Sequence, residues 1–186
     1  MNLPNALTVL RIFLTCIFIY YLSQDRAVAI LIAFALFTLA SITDYLDGYL
    51  ARKQNLITGF GKIMDPIADK FLILSAFFIF MQKSLIAGWM FYLIFAREVI
   101  VTVLRLLAMN QGVTLAAEGA GKLKTVLQIV VVYLIIIIRL SGQFMSQDFM
   151  TMAYTVVYAF MSAVVLITLW SGASFMFNNR KDLFHV

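Results

Sequence analysis

The chain has 186 residues, 63% of them hydrophobic and 12% charged, with a mean hydropathy of +0.98 and a formal net charge of +5. A soluble domain carries about 25% charged residues, so a water-soluble fold is excluded and a polytopic membrane protein is expected. The lone Cys16 excludes disulfides and cysteine-based metal sites, the lone His185 reads as a solvated tail residue and not as a base or ligand, and the positive excess in so apolar a chain points to anionic lipid headgroups or phosphorylated substrates, not to nucleic acid.

A membrane span needs roughly 20 mostly apolar residues. Six segments qualify, at about 4–22, 27–50, 63–82, 85–108, 122–141 and 149–177. The first is too long and lacks the small-residue cleavage site of a removable signal peptide. Only helices or closed barrels satisfy their backbone in lipid, and these runs are too long and too apolar on every side for barrel strands. The expected fold is all-α, with six transmembrane helices in a single membrane domain over 1–186. With two prolines and nine glycines there is no low-complexity linker and no composition shift to mark a boundary.

Basic residues set the expected orientation. Arg52, Lys53, Lys62, Lys122, Lys124, Arg180 and Lys181 fall at one set of helix ends, and Arg26, Lys83 and Arg139 at the other. The first set is expected to face the cytoplasm, with both termini on that side of the cell membrane. Trp89, Trp170, Tyr20 and Tyr21 read as interface or packing aromatics. The small residues of "SGAS" at 171–174 would permit close helix contact, and a homodimer is expected.

Four carboxylates break the apolar pattern. Asp44 and Asp47 are three apart near the end of the second run, while Asp65 and Asp69 are four apart at the start of the third. Each pair shares a helix face, and a hairpin between the two runs, through a connection of eleven residues, would bring all four to one point near the cytoplasmic end. Carboxylates so gathered repel unless a cation sits among them. Hard divalent ions, Mg²⁺ or Mn²⁺, take oxygen ligands together with substrate phosphates, and two pairs suggest two ions, as in phosphoryl-transfer enzymes. Two other readings remain open here. Some of these acids could cap helices, Asp65 before Pro66 being a plausible helix start, or they could line a cation or proton path, although a relay would spread them across the membrane.

Written out, the stretch is Asp44-x2-Asp47-Gly48-x2-Ala51-Arg52-x8-Gly61-x3-Asp65-x3-Asp69. It resembles the signature of the CDP-alcohol phosphatidyltransferase family, with all eight determinate positions filled. The resemblance implies that an alcohol attacks the β-phosphorus of a CDP-activated lipid and that CMP leaves. It also implies that Asp44, Asp47 and Asp65 hold the metals, and that Asp69 is the general base, close to the second metal. Gly48, Arg52 and Thr58 would contact the CDP moiety of CDP-diacylglycerol, with Ala51 and Gly61 keeping space for it. "PNALTVLR" resembles the family's N-terminal segment, which makes Asn5 and Thr8 candidate cytidine contacts. Arg11 is a further candidate, or a side chain that snorkels to headgroups.

Two later stretches bear on the acceptor. "AREVIVTVLR" places Arg97, Glu98 and Arg105 on the fourth helix, the two arginines eight apart, and "GKLKT" places Lys122 and Lys124 at the start of the fifth. Such a group of cations would bind a phosphate, so the acceptor alcohol is expected to carry one. The alternatives are that the lysines merely mark the cytoplasmic side and that Arg97 pairs with Glu98. Together the two stretches resemble the branch of the family that makes phosphatidylglycerophosphate, which implies glycerol 3-phosphate as acceptor, alongside CDP-diacylglycerol and membrane lipids as partners. A sister enzyme making cardiolipin or phosphatidylinositol phosphate would share the aspartates. A membrane prenyltransferase and a divalent-cation transporter are the more distant readings.

Overall fold

The computed structural model describes the backbone of residues 3–54, 59–110, 119–142 and 144–180, and their side chains apart from 3–5, 45–54, 59–63, 65, 110, 119 and 120. Six helices follow one another: α1 (Leu3–Leu22), α2 (Ala27–Gln54), α3 (Gly59–Gln82), α4 (Gly88–Asn110), α5 (Gly119–Ser141) and α6 (Gln147–Asn178). No strand occurs among the described residues. The protein is an all-α membrane protein. Within the described residues three helices contain stretches long and apolar enough to cross a bilayer: Ala27–Asp44, Gly121–Ser141 and Gln147–Asn178. In α3 and α4 the apolar runs are interrupted by charges, Asp69 and Lys70 in one and Arg97, Glu98 and Arg105 in the other.

The helix ends correct two expectations. α2 continues to Gln54 and α3 is already helical at Gly59, so helix covers residues that were expected in the eleven-residue connection. Pro66 lies inside α3, which removes Asp65 from a helix-start position. The turn between α3 and α4 is tight, and Ser84 adopts φ 56° there, a left-handed conformation in which a side chain is disfavoured. Its N–H is held by the Met81 carbonyl at 2.9 Å.

The chain forms two compact units. In the first, residues 1–80 with 136–145, α1 packs on α2 in antiparallel fashion. The buried positions of α1 are Thr8, Arg11, Thr15, Phe18 and Leu22, and those of α2 are Ala29, Ile30, Ala33, Phe37 and Ala40. Apart from the adjacent Ala29 and Ile30, both sets recur at three- and four-residue steps, so each is one helical stripe. The Phe18 and Phe37 rings meet at 5.5 Å. The far end of α1 is closed by Arg139 of α5, which donates to the Leu22 carbonyl at 2.8 Å, the Gln24 carbonyl at 3.0 Å and the Asp25 carboxylate at 2.9 Å. A cation is well placed at a helix C-terminus, where carbonyls lack intrahelical partners.

The second unit comprises residues 81–135 and 146–186. Here α4 packs on α6, whose buried stripe is Val157, Met161, Val164, Thr168, Ser171, Gly172 and Phe175. Ser146 caps the start of α6 by accepting from the Phe149 N–H, and Asn179 closes its end on the Phe175 carbonyl at 3.1 Å.

Candidate active site

The α2 stripe that faces α1 does not stop at Ala40; its next member is Asp44. Two turns back from Phe18 on α1 and two turns on from Phe37 on α2, Arg11 meets Asp44 at 2.7 Å. Arg11 is wholly buried, while the Asp44 side chain is 44% exposed. An arginine buried among apolar helices is tolerated only with its charge compensated, and the Asp44 carboxylate does this. Arg11 therefore does not snorkel to the surface. Thr8, on the same stripe, is buried as well, and Thr15 turns its hydroxyl onto the Arg11 carbonyl at 2.8 Å.

Because α2 is helical through Gln54, positions 44, 47, 48 and 51 share one face, as do positions 61, 65 and 69 on α3. Asp69 is partly buried and paired with Lys70. The side chains of Asn5, Asp47, Gly48, Ala51, Arg52, Gly61 and Asp65, and the whole of Thr58, lie outside the described residues. The meeting of all four carboxylates is therefore not among the observed contacts. Among the described residues no three metal-binding side chains gather; the two carboxylates that are described, Asp44 and Asp69, are hard oxygen donors, each partly open and each already beside a cation. That chemistry suits a divalent ion bound together with phosphate oxygens.

The candidate acceptor cations belong to the second unit. Arg97 and Arg105 both face α6. Arg97 donates to the Ser171 hydroxyl at 2.8 Å and lies 3.2 Å from Glu98, and the Arg105 guanidinium sits over the Phe175 ring at 5.5 Å. Glu98 is 2% exposed and also pairs with Lys124 of α5. Arg97, Glu98 and Lys124 thus form a buried triad with one net positive charge. Lys122, two residues before Lys124, is exposed, as is Arg105. The four cations split into two engaged by Glu98 and two that reach the surface.

Nothing in the spacing alone marked Glu98 as the centre of this group, nor Ser171 as a partner. Gly172 belongs here too, because a Cβ on it would stand 3.0 Å from Arg97 Cγ. The small residues Ser171 and Gly172 are therefore occupied by a contact within the chain, which removes them as grounds for a homodimer. Arg11 carried a readable signal, since a charge at stripe spacing within an apolar run demands a counter-ion.

Comparison with known proteins places these features in a family. A CDP-alcohol phosphatidyltransferase family model matches residues 1–170. The chain is 39% identical over 194 residues to the CDP-diacylglycerol–glycerol-3-phosphate 3-phosphatidyltransferase of Bacillus subtilis, covering 98% of this chain and 97% of that one. A probable phosphatidylglycerophosphate synthase of Mycobacterium tuberculosis is 38% identical over 185 residues, covering 98% of this chain and 83% of that one. A Rickettsia typhi protein with the same name as the Bacillus one is 40% identical over 136 residues, 73% of this chain and 76% of its own. With the aspartate signature on α2 and α3 and a family match over nearly its whole length, this chain belongs to the CDP-alcohol phosphatidyltransferase family.

Proposed function

We propose that this protein transfers the phosphatidyl group of CDP-diacylglycerol to glycerol 3-phosphate, forming phosphatidylglycerophosphate and releasing CMP. The observation that carries this reading is the similarity, over 98% of the chain, to a relative named for that reaction. The acceptor hydroxyl oxygen attacks the β-phosphorus, the bond from that phosphorus to the CMP oxygen breaks, and CMP departs with the electron pair. Asp69 takes the hydroxyl proton, a role that requires hydrogen-bond reach to the acceptor. Asn5, Thr8, Gly48, Ala51, Arg52, Thr58 and Gly61 receive the CDP moiety, the small residues leaving room for a nucleotide against a helix.

Members of the family generally use divalent metal ions. Asp44, Asp47, Asp65 and Asp69 would hold two of them, Mg²⁺ or Mn²⁺, which when bound neutralise the diphosphate and stabilise charge at the transferring phosphorus. Exposed Lys122 and Arg105 bind the phosphate of the acceptor, and the triad of Arg97, Glu98 and Lys124 supplies the positive framework behind them. Six membrane passes with both termini cytoplasmic complete the reading, on the distribution of basic residues.

The test is CMP release by the purified protein in detergent, with glycerol 3-phosphate, inositol phosphate, serine and phosphatidylglycerol offered in turn. Glycerol 3-phosphate is expected to support turnover best. Turnover only with an acceptor that lacks phosphate would overturn the role given to Lys122 and Arg105. Metal flux into liposomes without CMP release would overturn the transferase reading.

A further inference from the structure

We propose that Arg11 is a positioning residue for the metal centre: its buried guanidinium sets the direction of the Asp44 carboxylate and thereby the affinity for the divalent ion. This deepens the proposed function and rests on Asp44 being a metal ligand. The pair is asymmetric, with Arg11 wholly buried and Asp44 44% exposed at 2.7 Å. The cation is therefore sealed in the α1–α2 interface while the carboxylate reaches its edge. On this proposal Arg11 acts through the aspartate, whose carboxylate is the open member of the pair.

The local sequence supports this placement. Arg11 stands between Thr8 and Thr15 on the inward stripe of α1, and the Phe18–Phe37 contact fixes the register that puts it opposite Asp44. Thr15 spends its hydroxyl on the Arg11 backbone. Arg11 Nη1 lies 2.7 Å from one Asp44 oxygen, and a rigid, planar guanidinium at that distance restrains the carboxylate more than a lysine ammonium on a flexible stem would. Two effects oppose each other here. A positive charge beside a cation site repels the ion, while a held carboxylate meets it without losing rotational freedom. Groups that orient metal ligands from the outer shell are worth about 10–100-fold in affinity, so orientation is taken to outweigh repulsion.

The experiment measures Mn²⁺ binding to the full-length purified protein by electron paramagnetic resonance of the unbound ion, with no turnover needed. CMP release against Mn²⁺ concentration is measured in parallel. Arg11→Met is expected to weaken Mn²⁺ binding about 10–100-fold, and to leave the KM for CDP-diacylglycerol at saturating metal within about two-fold, as for a group acting only through the ligand. Arg11→Lys, which keeps the charge without the planar guanidinium, is expected to fall between, at a loss of about three-fold or more, and it carries the test where Arg11→Met does not fold. Unchanged or tighter Mn²⁺ binding in a folded Arg11 variant overturns the proposal. So does a raised KM for CDP-diacylglycerol with Mn²⁺ binding intact, since Arg11 would then contact substrate. Asp44→Asn separates the two levels: if it binds Mn²⁺ like the unchanged protein, Asp44 is no ligand and the metal reading fails with the proposal. If Asp44→Asn loses Mn²⁺ and Arg11→Met does not, only the positioning role fails.

Discussion

Replacing Glu98 by glutamine keeps the shape of the side chain and removes a single negative charge from the buried triad on α4 and α5. Glu98 pairs with both Arg97 and Lys124, and the three side chains are 2%, 10% and 4% exposed. Both buried cations would lose the carboxylate that joins them. Breaking a buried pair in this way costs about 3–5 kcal/mol, a large share of the 5–15 kcal/mol typical of a folded domain. At about 2–4 °C per kcal/mol for a chain of this size, Glu98→Gln is expected to melt roughly 10 °C below the unchanged protein in detergent. Adding Lys124→Met removes the surplus cation and is expected to recover at least half of that loss, which a double-mutant cycle would record as coupling between the two positions. A Glu98→Gln protein that melts within about 2 °C of the parent would refute the reasoning, because the triad would then be hydrated or loosely held.

Further outcomes follow from the same contacts. Gly172→Val should destabilise by about 1–3 kcal/mol through overpacking against Arg97, which is tethered at Ser171 and Glu98 and cannot yield. Gly172→Ala should lie closer to neutral, since alanine regains up to about 1 kcal/mol of helix propensity; parental melting for both variants would contradict the close approach. Arg139→Met removes three hydrogen bonds at the end of α1, and a loss of about 2 kcal/mol with faster proteolysis at residues 23–26 is expected; unchanged proteolysis would show that the cap is not needed. Asp69→Asn should lower CMP release about 10²–10⁴-fold, the usual worth of a general base, and high Mg²⁺ should not rescue it. Rescue would make Asp69 a ligand and not the base.

Much of the architecture was legible in the residues alone. The six apolar runs foretold six helices, each starting and ending within a few residues of its expected place, because a backbone in lipid has little alternative to the helix. The largest differences came where α2 and α3 approach each other. There the polar motif residues lowered hydropathy, yet the chain is helical up to Gln54 and again from Gly59 among the described residues. Hydropathy reports what lipid tolerates, and helical backbone extends beyond it. The aspartate signature was readable as well, since its eight fixed positions stand at set spacings in the sequence, and they fall on α2 and α3.

The pairing of helix faces was not readable. Phe18 and Phe37 are buried while Phe13 and Trp170 are exposed, and nothing in their apolar character separates them, because the outside of a membrane protein is as apolar as its inside. Periodicity shows which residues share a stripe; it does not show which stripe meets which. Composition and motif spacing by themselves determined the helical membrane class, the family and its set of carboxylates. Only the tertiary structure decided that Arg11 meets Asp44, that Glu98 gathers Arg97 and Lys124, and that Arg139 closes α1 across more than a hundred residues. Each of these contacts places a costly buried charge beside its compensating partner, and such partners are chosen by three-dimensional packing and not by distance along the chain.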